Sequence, residues 1–202
     1  MATEQIVSAV GRLIDAPVCE VALIEIGEDW AGYEVAPGLR LEPCIAHASL
    51  ELTNCIESQD QSHMRADDNA RRWARWVALW DWCMGYDEQW LYAYDTDKSM
   101  WSFDHNMWID AADNWGAHTS NGDTLFPWQW RGDWTCIDVD EVYRVADRLD
   151  DVSRDEIIDA CYAIPREWMV SLEDLDALVD MLYARKFHVA RRLRNSIQSG
   201  GR

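Results

Sequence analysis

Between residues 73 and 84 the apolar side chains Trp73, Trp76, Val77, Trp80, Cys83 and Met84 recur three and four positions apart. That spacing draws one stripe down a helix of 3.6 residues per turn, so this helix has to be buried against the rest of the chain. Gly85 is placed to end it, because glycine takes the positive φ of a helix C-terminus at little cost. Asp87 then falls in a short loop, and an aromatic strand follows from Trp90 to Tyr94. The turn Asp95-Thr96-Asp97-Lys98 reverses the chain into a second strand, Met100 to Phe103, which ends at Asp104. A helix, a carboxylate, a hairpin and a second carboxylate therefore come in succession.

In phosphoryl transfer one aspartate orients the attacking hydroxyl, and another at a strand end holds Mg²⁺ against the nucleotide phosphates. Mg²⁺ needs only one or two carboxylates beside phosphate oxygens and water. Spacing alone favours the plainer reading, in which Asp87 caps a turn and Asp104 closes a strand.

The run from Trp76 through Gly85-Tyr86-Asp87 to Ser102-Phe103-Asp104-His105 resembles the catalytic core of the HipA-like kinases, relatives of the phosphatidylinositol 3-/4-kinase fold. The segment Leu13-Ile14-Asp15-Ala16-Pro17 with Val21 to Ile26 is similar to that family's helix-Pro-strand opening. Residues Ala163 to Trp168 and Leu182 to Arg185 are similar to its C-terminal helices. The resemblance implies an α+β fold in abbreviated form, with a small-lobe and hinge remnant over residues 1–66 and a mainly helical large lobe over 67–202. It implies Asp87 as the catalytic base, Asp104 and Asn106 as metal ligands, Glu4 and His105 as cofactor-binding residues, and ATP with Mg²⁺ as the cofactors. It also implies a glycine-rich loop and a lysine ahead of the helix that carries Glu4, and this sequence opens at that helix. Glu88, Gln89 and Trp90 stand where the family has its loop arginine and asparagine.

Three functions follow as expectations. The chain is a pseudokinase-like module that binds a protein partner. Or it is an active phosphotransferase using Asp87 and Asp104, with the lysine supplied by another polypeptide or replaced by Arg40. Or it is an acidic decoy or inhibitor that docks on a basic partner.

A net charge of −19 excludes direct binding to nucleic-acid phosphates or an anionic membrane, and it favours a basic protein partner. Thirteen tryptophans against three phenylalanines point to a tryptophan-filled core rather than an aromatic ligand cage. Six cysteines without a CxxC pair or nearby histidines argue against zinc. Cys83 and Cys161 fall on apolar helix faces, as buried thiols of a reducing cytoplasm would. No apolar run reaches membrane-span length and no signal peptide is legible, so the expectation is a cytoplasmic protein.

Along the chain, Thr3 to Ile14 reads as a helix capped by Thr3, and Pro17 ends it. Val18 to Ile26 reads as a strand buried on both faces, and Leu39 to Ala48 as another. Glu57 to Asp68 is a polar linker with Asp68 as a cap. His105 is a phosphate or aspartate orienter, or only a packed histidine; His47, His63, His118 and His188 have no legible role. The tryptophan-studded stretch from Asp110 to Asp138 is irregular and reads as substrate-binding or as a lid. Helices then follow from Asp138, from a capping box at Ser153-Arg154-Asp155-Glu156, and from Ser171. The basic run Arg185-Lys186 to Arg194 reads as cations at a helix C-terminus, the plain alternative to a phosphate-binding patch.

Overall fold

The apolar stripe does form a helix, α2 (Asn69–Trp82), with Trp73, Trp76, Val77, Leu79 and Trp82 essentially inaccessible. The computed structural model describes residues 1–109 and 129–200. Around α2 stand α1 (Ala2–Leu13), α3 (Val139–Asp151), α4 (Arg154–Tyr162) and α5 (Leu172–Gly200). Strand β1 (Val21–Ile26) pairs antiparallel with β4 (Cys44–Ser49), and a small hairpin of β2 (Glu34–Ala36) and β3 (Leu39–Arg40) lies between them in sequence. Strands β5 (Cys55–Ser58), β6 (Trp90–Ala93) and β7 (Ser99–Ser102) make a three-stranded antiparallel sheet. The architecture is α+β, as expected.

Tryptophan fills the core. Trp73 meets Trp76 and Trp90 edge to face at ring separations of 5.0 and 4.6 Å, and Trp130 stacks on it at 5.4 Å. Trp76 also touches Trp80 and Trp108. Each such pair contributes about 0.5–1.5 kcal/mol beyond the area it buries. The β6–β7 hairpin is tied to α2 by Asn69. Its side chain donates to the carbonyls of His63 and Lys98 at 2.9 and 2.8 Å and accepts from the Met100 amide at 2.8 Å.

Several local expectations are corrected. Met84, not Gly85, takes the left-handed turn after α2, at φ 49°. Gly85 is needed for closeness instead, since a Cβ there would lie 2.3 Å from the Trp80 ring. Thr3 is buried inside α1, whose N-cap is Met1 with no side-chain cap. The strand expected over Val18 to Ile26 divides. Its first residues join β7, with Cys19 N donating to Ser102 O at 2.9 Å and Ser102 N to Pro17 O at 2.6 Å. The remainder, β1, has one partner strand and four exposed residues in a row, so it is not buried on both faces. The expected strand from Leu39 to Ala48 is interrupted between β3 and β4, and the expected linker from Glu57 begins inside β5, whose last two residues are Glu57 and Ser58.

Asp68 stands at the N-cap of α2 but makes no side-chain cap bond, whereas the helix starts of the last third are as read. Asp138 accepts from Glu141 N at 2.9 Å, Ser153 and Glu156 form the capping box, and Ser171 accepts from Asp174 N at 3.0 Å. Cys83 and Cys161 are buried free thiols, and burial pushes Cys161 up to about 12. Of the tryptophan-studded stretch, residues 110–128 lie outside the described residues. Trp130 is buried in the core and Trp134 packs against it.

The basic run is not a helix end. Helix α5 passes straight through it, and Arg185 and Lys186 are buried at its middle. Arg185 donates to Asp81 O at 2.7 and 2.9 Å and to Trp82 O at 3.1 Å, on the last turn of α2. Lys186 donates to Leu149 O at 3.0 Å and Asp150 O at 2.7 Å, on the last turn of α3. The cations do meet helix C-termini, but those of two other helices.

We predict that Lys186→Met, which keeps the aliphatic stem, lowers the free energy of unfolding in urea by about 2 kcal/mol by leaving two buried carbonyls unsatisfied. An unchanged denaturation midpoint would show that water replaces the ammonium. A second prediction concerns Asp81, which is 1% exposed. Burial outweighs Arg192 and Arg185 and pushes its carboxyl up to about 6 from 3.8. The folded state then binds the proton more tightly than the unfolded chain, so this group's contribution to stability falls as pH rises from about 4 to about 6. Asp81→Asn should remove that decline, as unfolding free energies measured across the interval for both proteins would reveal.

Candidate functional site

The pairing of residues 17–19 with the end of β7 swings α1 over the exit of the hairpin. There, a cavity of about 220 Å³ is lined by Glu4 and Ser8 of α1, His47 and Ser49 of β4, and Ser102, Phe103, Asp104 and His105 after β7. Glu4 and Ser8 lie one helical turn apart on the same face. Three residues singled out in the sequence, Glu4, Asp104 and His105, are thus brought together. Asp87 and Asn106 are exposed and do not line the cavity. Both named aspartates sit in the left-handed backbone region, Asp87 at φ 58° and Asp104 at φ 53°, a conformation that aspartate tolerates better than most residues.

At the centre is His105, 1% exposed. Its Nε2 lies 2.7 Å from Ser102 Oγ, and Trp76 Nε1 donates to that same oxygen at 3.0 Å. Indole can only donate, so Ser102 accepts from Trp76 and its own proton is free to go to Nε2. The other ring nitrogen, Nδ1, faces Glu4 Oε2 at 3.4 Å without closing a hydrogen bond. Ser102 is fully buried with its oxygen held by an indole, so this Glu-His-Ser line orients the histidine and does not present a nucleophile.

The two carboxylates are shifted in opposite directions. For Glu4 burial acts upward, but the His105 ring more than offsets it and the carboxyl ends below its usual range. Asp104 is raised, first by burial and then by the charge of Glu4, against a hydrogen bond from Gln89 Nε2 at 3.0 Å. His47, whose Nδ1 lies 3.0 Å from Gln5 Oε1, is lowered by burial despite Glu4. The site can therefore share a proton between carboxylates or hold a small polar or cationic group.

Its fit to a metal-nucleotide is poor. Asp104 and Glu4 are suitable in kind for a hard cation, but among the described residues no group of three or more His, Cys, Asp or Glu is disposed to hold a metal ion. No lysine or arginine lines the cavity to take phosphates. Arg40, the expected stand-in, is bound to Glu34 Oε2 at 2.6 Å and to Gly32 O at 2.9 Å. The volume is also below the roughly 300–1,000 Å³ of small-molecule sites. A larger hollow of about 540 Å³, behind Cys19 and Val21, has one cation, Arg12, opposed by Glu20 among apolar walls.

Sequence reasoning missed His47, Ser102 and Gln89. Ser102 lies inside the recognised Ser-Phe-Asp-His segment, so its place beside His105 was within reach. His47 is separated from Glu4 by the rest of α1, by β1 and by the β2–β3 hairpin, and nothing local marks it.

We predict that Glu4→Gln moves the Asp104 carboxyl down toward its ordinary range, because a like charge is removed. Site-resolved carboxyl NMR titration checks this, and an unmoved Asp104 would mean that burial alone raises it. No protein-family model matches the chain, and no curated protein or solved structure is significantly similar to it.

Proposed function

We propose that this chain is a degenerate kinase-type protein, of the HipA-like kind it resembles, that works by binding a basic protein partner and not by phosphoryl transfer. One observation carries the reading. The cavity assembles Glu4 against Asp104 and His105, and the carboxylates are met there by a histidine and a glutamine. A kinase of this type needs a cation at that point to hold the nucleotide phosphates. The chain has two lysines, Lys98 in the hairpin turn and Lys186 buried on carbonyls. Many arginines are likewise spent internally, Arg71 and Arg75 on α3 or its cap, Arg154 on Asp180, and Arg194 on Asp147 and Asp150. What is left facing outward is acidic, and that favours a basic partner.

The test is thermal denaturation with and without millimolar Mg²⁺·ATP. A ligand confined to the folded state at a hundredfold excess over Kd stabilises by about 2.7 kcal/mol. The expected outcome is no shift in Tm. A shift that disappears in Asp104→Asn would overturn the reading in favour of an active phosphotransferase with Asp104 as metal ligand.

A further inference from the structure

The β1–β4 ribbon has two unlike faces. Val21, His47 and Ser49 line the cavity, so the residues in register with them face α1. By strand alternation the opposite face carries Ala22, Ile24 and Ile26 across from Ala48, Ala46 and Cys44. All six are apolar. Ala22, Ile24 and Cys44 are exposed and the others half-buried, with Ile24 43% accessible. The ribbon is a two-stranded sheet; among the described residues no other strand pairs with it, and Trp168 Nε1 donates to Ile45 O on β4 at 2.6 Å. At the ribbon's tip Trp30 and Tyr33, 56% and 59% exposed, pack edge to face.

The rim is of one sign. Glu20, Glu28, Asp29, Glu42 and Glu51 are exposed, while residues 20–60 contain no lysine and a single arginine, Arg40, already paired with Glu34. An apolar strip inside an acidic rim repels a second copy of this chain, which carries the same −19. It matches a segment that alternates cations with apolar side chains.

We propose that the outer face of the β1–β4 ribbon docks an extended, basic segment of a partner protein, with apolar side chains on Ala22, Ile24 and Ala46 and cations on the surrounding carboxylates; this rests on the partner-binding reading above. The occupant is a protein strand, since nucleic acid and anionic lipid meet the wrong charge.

The probe is a fluorescein-labelled synthetic peptide of alternating lysine and valine, compared at low salt with one of alternating lysine and serine. Fluorescence anisotropy should show the valine peptide binding at least about tenfold tighter, a difference of about 1.4 kcal/mol. Ile24→Asn and Ala22→Asn, neutral changes at exposed positions, should each abolish most of that difference with Tm unchanged. Equal affinity for the two peptides, indifferent to both face variants, overturns this surface while leaving a charge-driven basic partner standing. No binding of either peptide overturns the basic-partner reading itself. A wild-type dimer that Ile24→Asn splits in sedimentation also overturns the proposal, making the face a self-association surface.

Discussion

Two buried cations in the middle of one helix hold the helical part of this molecule together. Arg185 and Lys186 are neighbours on α5, and each reaches a different helix, closing the carbonyls at the ends of α2 and α3. A buried carbonyl without a partner is costly, and a buried ammonium is costlier still, so each group answers the other's desolvation. Arg192 extends the arrangement to the Asp81 side chain at 3.2 Å. Trp82 completes it by donating to Leu182 O at 2.8 Å. Helix α2 is therefore fixed along its axis as well as packed on its side, and everything that hangs from α2 inherits that fixed position.

What hangs from α2 is the hairpin and, through it, the site. Asn69 fastens β7 at the start of α2, and Trp76 fixes Ser102 at its middle. Ser102 in turn holds the Nε2 edge of His105, whose other nitrogen faces Glu4 on α1. The histidine is oriented by the core rather than by solvent. An indole at its back and a carboxylate at its front make a rigid, acidic hollow. The same hollow carries no cation for phosphate, and the exposed ribbon beside it is apolar and acid-rimmed. Both features are the grounds of the partner-binding proposal.

The sequence was most legible where a signal is local. The stripe from Trp73 to Met84, the hairpin turn at Asp95 to Lys98, and the caps at Asp138, Ser153 and Ser171 depend on neighbours within one or two turns, and they lie where the pattern puts them. The errors share a different cause. Gly85 was read by its φ freedom, but its constraint is the Trp80 ring packed over it. Val18 to Ile26 has the composition of a doubly buried strand, yet its first residues pair with β7 and the rest lacks a second neighbour. Of the candidate site, Glu4, Asp104 and His105 were named and do meet, whereas Asp87 and Asn106 are exposed outside the hollow.

By itself the sequence determined the helix periods, the tryptophan core, the acidic surface and the succession of carboxylates around a hairpin. Each is a property of side-chain type and short-range spacing. Only the tertiary structure decided which distant groups meet: Arg185 and Lys186 with the ends of other helices, His47 and Glu4 in one hollow, and Ala22, Ile24 and Cys44 exposed together on one ribbon face. Those contacts join residues tens of positions apart. Their free energy depends on burial and geometry, which no local pattern encodes.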